Sequence, residues 1–135
     1  MCWNGHSGQK KIAEKDIEVY KIGLVHNNRF ICEFRDFSYK KGVINKELVL
    51  RETHWMGSIS IKEGYHSYKR VSIKFNSLSS NKFKYIYRGY VIQPYREGRY
   101  DLATFIIPRG STYYENLDGE IVSSNIIYTG KYLRL

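Results

Sequence analysis

LATFIIPRGSTYYENLDGEIVSSNII, residues 102 to 127, holds the densest structural grammar in the chain. An apolar run ends at Pro108, which cannot donate to a central ladder and so closes a strand. A basic tip follows, Arg109-Gly110-Ser111. Next come the pair Tyr113-Tyr114, the hairpin-turn segment Asn116-Leu117-Asp118-Gly119 and a second apolar run. The pattern is strand, turn, strand, turn, strand, and it carries no catalytic spacing.

Working outward, the upstream segments read as β as well. Phe83 to Gln93, FKYIYRGYVIQ, alternates, with Phe83, Tyr85 and Tyr87 on one face and Gly89 marking a bulge. Pro94 to Arg99 forms a turn, and Asp101 to Ile107 is expected to run back antiparallel to that strand. Asp16 to Val25 and Arg29 to Phe37 form a hairpin around His26-Asn27-Asn28, because Asn tolerates left-handed backbone. Within it Phe30, Cys32 and Phe34 share one face, and Cys32 acts as a small apolar filler. Val43 to Leu50 is a further strand candidate. Glu52 to Gly57 reads as an irregular crossing with Trp55 anchored in the core, and Ser58 to Lys62 alternates again. Tyr68, Val71, Phe75 and Leu78 recur at helical spacing, which predicts a short helix from about Ser67 to Leu78. Residues 1 to 11 form an irregular arm, from which Trp3 docks on the body. The expectation is a mainly β (α+β) chain: a single compact antiparallel β domain, residues 1–135, with one or two short helices.

The balance of 22 Lys+Arg against 13 Asp+Glu gives +9. That favours anionic partners such as nucleotides or nucleic acid. No run approaches the ~20 apolar residues of a membrane helix. The start MCWNGHSGQKK lacks the apolar core of a signal peptide, so a cytoplasmic protein with reduced thiols and no membrane partner is expected.

Tyr65, His66, Lys69 and Arg70 lie beside turns, as do Arg96, Arg99, Arg109, Ser111, Tyr113 and Tyr114, where scaffolds place binding groups. Arginine presents a planar fork to phosphate. Tyrosine rings stack on bases. Arg109 and Arg96 would hold phosphate, with Tyr113, Tyr114 and Tyr65 stacking. Arg109-Gly110-Ser111 would aim a guanidinium, bare amides and a hydroxyl at one oxyanion. Cys2, His6, His26 and Cys32 have no zinc-finger spacing, so no metal or cofactor is expected. Cys2 as an N-terminal nucleophile would need partners that only a fold supplies. The acidic and imidazole groups at His54, Glu63, Glu115, Asp118 and Glu120 show no mechanical spacing.

Ile107 to Ser111, Tyr113-Tyr114 and Gly119 to Ser123, with the Met-Cys start, KIAEKDIEVYK at 11–21 and GYHSY at 64–68, carry a family likeness. Together they resemble small uncharacterised proteins of gut Bacteroidales and their phages. That resemblance implies family membership and carries no activity. The strand, Ile-Pro-Arg-Gly turn and following Glu120 also resemble ADP-ribosyltransferase folds, which would make Glu120 catalytic, although no E-x-E pair or Ser-Thr-Ser strand is present. The expectation is therefore a phage- or mobile-element-type basic binding protein for an anionic ligand: a nucleotide, a nucleotide-derived signal or nucleic acid. The alternatives are a transferase using a nucleotide cofactor, or an interaction protein docking on an acidic partner. A homo-oligomer formed through sheet edges is a further expectation.

Overall fold

A computed structural model of the chain describes residues 3–5, 10–32, 38–69, 72–75, 84–87, 91–94 and 101–134. The described residues contain strands and no helix, and antiparallel sheets build one compact β domain. The strands are β1 (Trp3–Gly5), β2 (Lys11–Ile12), β3 (Ile17–His26), β4 (Arg29–Cys32) and β5 (Ser38–Lys40). Then come β6 (Glu52–Trp55), β7 (Ser58–Ile61), β8 (Tyr65–Tyr68), β9 (Ser72–Phe75) and β10 (Lys84–Tyr87). The last are β11 (Val91–Pro94), β12 (Asp101–Ile107), β13 (Thr112–Glu115), β14 (Glu120–Ser123) and β15 (Ile127–Arg134).

The main sheet runs β15-β12-β3-β8-β14-β13-β2, with β4 and β5 attached beside β3. The β3–β4 hairpin forms where the sequence places it. Asn27 and Asn28 both take positive φ (51° and 60°), the two left-handed residues that a tight hairpin turn needs. Beyond β5 the chain returns to β15. Lys41 bridges Tyr128 in parallel, and the Gly42 N–H donates to the Tyr128 carbonyl at 2.7 Å. The strands β15, β12, β3, β4 and β5 thus close on themselves around an aromatic centre. Phe105 meets Phe30, Tyr39 and Tyr128 at ring separations of 5.0, 5.1 and 5.2 Å. Strict alternation on β12 sends Asp101, Ala103, Phe105 and Ile107 inward. Asp101 is tolerated there because its carboxylate accepts the Val25 N–H at 2.7 Å and lies 3.4 Å from Arg134 Nε.

A smaller sheet, β1-β7-β6, covers a second core of Trp3, Leu50, Ile61, Tyr114 and Val122. Trp3 is fully buried, and its indole N–H donates to the Glu120 carbonyl at 2.9 Å. A third sheet, β11-β10-β9, shows a register shift between Tyr85 and Tyr87.

Several expectations change. The described parts of the helix expected over 67–78 are extended: β8 pairs with β14, and β9 pairs with β10. Of the positions at that spacing, Tyr68 falls on β8 and Phe75 on β9, while Val71 and Leu78 lie outside the described residues. The N-terminal arm is partly strand, since β1 pairs with β7 and β2 with β13. Residues 43–50 form no strand. Glu52 to Gly57 is regular: β6 and a tight turn at Met56-Gly57 lead directly into β7. Trp55 is therefore not a core anchor. It lies on the face opposite Ile61 and is 74% exposed. Finally, β12 pairs with β3 and β15 and not with the strand just before it.

Candidate anion-binding face

The predicted residues on β13, β8 and the turn before β13 do share one sheet. Tyr113 faces Ser123, which faces Tyr65; Tyr114 faces Val122, which faces His66. Adjacent rows project to opposite faces, and each face meets one of the two cores. Tyr65 lies in the main core, and its hydroxyl donates to the Lys46 carbonyl at 2.5 Å. Burial pushes that phenol above the ordinary tyrosine range. Tyr114 lies in the second core, 5.6 Å from the Trp3 ring. Tyr113 is half-buried and packs against the main core. The expected stacking platform at Tyr65 and Tyr114 is corrected: both rings are interior packing. His66 is half-buried, and its carbonyl accepts the Lys21 ammonium. The Lys69 ammonium lies 3.5 Å from the Glu115 carboxylate, which offsets its charge. Arg70, Arg96 and Arg99 lie outside the described residues.

The Arg109 turn is also closed as an oxyanion cradle. The Arg109 N–H donates to Asp16 Oδ1 at 2.9 Å, the Gly110 N–H to the Ala13 carbonyl at 2.8 Å, and the Ser111 N–H to the Pro108 carbonyl at 3.1 Å. All three amides are committed and Ser111 is buried. Only the exposed Arg109 side chain remains to meet a ligand.

A different group of basic side chains is brought together by topology. His26 sits opposite Arg29, and Arg29 sits opposite Lys40. Facing residues in a ladder project to the same side. The alternate residues Val25, Phe30 and Tyr39 are buried, so His26, Arg29 and Lys40 form a row across the outer face of β3, β4 and β5. Adjacent strands stand about 4.8 Å apart, so the row spans roughly 10 Å. Lys41, the next residue, is out of phase with this row; its aliphatic stem lies against Gly130, where a Cβ would come within 2.6 Å of it. Among the described residues none of His26, Arg29, Lys40 and Lys41 has an acidic partner within ion-pair distance. None of these residues was among those expected to hold an anion. A visible cue was that His26 and Arg29 flank the Asn27-Asn28 turn, but their alignment with Lys40 depends on the β4–β5 register.

One further polar network stands on β6. The Tyr114 hydroxyl donates to Glu52 Oε1, and Glu52 Oε2 lies 3.1 Å from His54 Nε2. Burial, with the Glu52 carboxylate beside it, pushes the Tyr114 phenol up to about 12. The Tyr114 hydrogen bond, supported by His54 and Lys10, holds the Glu52 carboxyl below the usual range. This network ties the small sheet to the large one.

Glu120, the residue implied by the transferase likeness, is half-buried on β14 opposite Tyr68. Cys2 and His6 lie outside the described residues. Cys32 is half-buried against the main core, and no cluster of metal-ligating side chains gathers among the described residues. No helix among them is long and apolar enough to cross a membrane. Comparisons with protein-family models, with curated proteins and with solved structures found no match.

Proposed function

We propose that this chain is a non-catalytic binding protein for an extended anion: a nucleotide, a nucleotide-derived signal or nucleic acid. The observation that carries the reading is the row His26, Arg29 and Lys40 across three adjacent strands. Like charges at facing cross-strand positions destabilise a sheet by roughly 0.2–1 kcal/mol. A fold that keeps Arg29 opposite Lys40, with no acid beside them among the described residues, lowers that cost when an anion lies across both. The Arg29 fork suits a phosphate in two-point contact, and Lys40 acts as a point charge beside it. A row of this length suits several phosphates in series better than one. The +9 charge draws such ligands to the surface at long range.

Fluorescence anisotropy with a labelled single-stranded oligonucleotide, and competition by nucleoside polyphosphates, tests this. Affinity is expected to fall steeply with salt. Arg29→Ala and Lys40→Ala should each weaken binding and lower the log–log salt slope by about 1, as loss of one phosphate contact requires. Lys62→Ala, on another strand's end, should leave that slope nearly unchanged. Absence of binding to every nucleotide and nucleic acid tried at low salt would sink the reading.

A further inference from the structure

The sequence RETHW, residues 51–55, ends in an edge that the fold leaves open. In the sheet β1-β7-β6, β6 is the outermost strand, and all of its residues are exposed. The register pairs Glu52 with Ile61, Thr53 with Ser60, His54 with Ile59 and Trp55 with Ser58. A two-residue turn at Met56-Gly57 makes Trp55–Ser58 the hydrogen-bonded closing pair. Alternation then commits Thr53 to the ladder with Ser60 and turns the N–H and C=O groups of Glu52 and His54 outward. No backbone partner meets them among the described residues. An edge of this kind is a template for another strand.

We infer that the occupant is a second copy of this chain, paired antiparallel through β6 about a two-fold axis at Thr53. The argument is complementarity of the strand with itself. Centring the axis on Thr53 puts Glu52 opposite the partner's His54, and His54 opposite the partner's Glu52. These are the hydrogen-bonded positions, and the side chains there are of opposite type. The same register puts Arg51 opposite the partner's Trp55. An exposed indole then lies beside a guanidinium that has no ion-pair partner among the described residues, the arrangement of a cation–π contact. Thr53 meets its own copy at the closer, non-hydrogen-bonded position, where threonine pairs are favourable. A shift of one residue brings Thr53 opposite His54 and Glu52 opposite Trp55, and loses the Glu52–His54 facing. The contact is isologous and closed, so it ends at a dimer. The two copies then share one continuous sheet, with three strands from each.

Sedimentation of the full chain over a concentration series tests this. The parent protein should show a monomer–dimer equilibrium. Thr53→Lys and Thr53→Glu each set like charges face to face across the axis and should weaken dimerisation about tenfold. A one-to-one mixture of the two variants should restore it. Thr53 projects from an exposed face, so circular dichroism of both variants should match the parent. Thr53→Cys gives an independent reading: mild oxidation should trap a covalent dimer beyond the level of the parent, while Ser60→Cys should not. A parent that stays monomeric throughout overturns the proposal. So does a dimer untouched by Thr53→Lys, or a mixture that fails to recover.

Discussion

Tyr114 shows how one hydroxyl can join two sheets. Its ring is core, while its oxygen reaches Glu52 on β6. Removing the hydroxyl in Tyr114→Phe should lower the melting midpoint by about 4 °C near neutral pH, the effect of one hydrogen bond in a domain of this size. The pH dependence has a definite sign at each end. The Glu52 carboxyl is depressed in the folded state from an ordinary 4.5, so its contribution is present above that value and is lost as pH falls through the folded one. The Tyr114 phenol is raised from 10.0 to about 12, so its contribution is complete below 10.0 and is lost as pH rises toward 12. The gap between parent and Tyr114→Phe should therefore narrow in both acid and strong base. A gap that stays constant across that range would remove the network from the account. Lys21 makes a related point. On β3 it faces Ala103, pointing inward, and its ammonium is held by the His66 carbonyl and lies 5.6 Å from the Tyr39 ring centre. Alternation identifies such a position as interior, but the residue type argues for the surface.

The hairpin around Asn27-Asn28 was legible because its turn chemistry is local: two residues that accept positive φ, flanked by β-branched runs. Pro108 likewise ended β12 where expected. The partners of β12 were not legible. Its neighbour β3 lies some eighty residues earlier, and alternation says which face is buried without saying which strand lies alongside. The Arg109 turn failed as an anion site for the same reason. The groups that occupy its amides, Asp16 and Ala13, come from a distant part of the chain. The β6–β7 turn carries a local flaw. Met56 takes φ 46° and is 89% exposed, a conformation that suits Asn or Gly. Met56→Asn should raise unfolding stability by ~1 kcal/mol in urea titration. No change would mean that the turn relaxes in solution to a backbone without that strain.

At the scale of the whole molecule, Trp3 joins the two sheets. It packs with Ile61 and Tyr114 under the small sheet and bonds to β14 of the large one. The chain has two tryptophans, and the other, Trp55, stands in water. Trp55→Phe should leave blue-shifted emission that iodide quenches poorly, and quenching as strong as that of free indole would mean that β1 is undocked. The bond from Trp3 to Glu120 spans 117 residues. Closing so long a loop has to wait for the strands between them, and β topologies with such remote pairings fold in roughly milliseconds to seconds. The main sheet can assemble while β1 is still free. Burial of Trp3 is then the step that completes the fold, and in stopped-flow refolding of Trp55→Phe it should be the last signal to arrive.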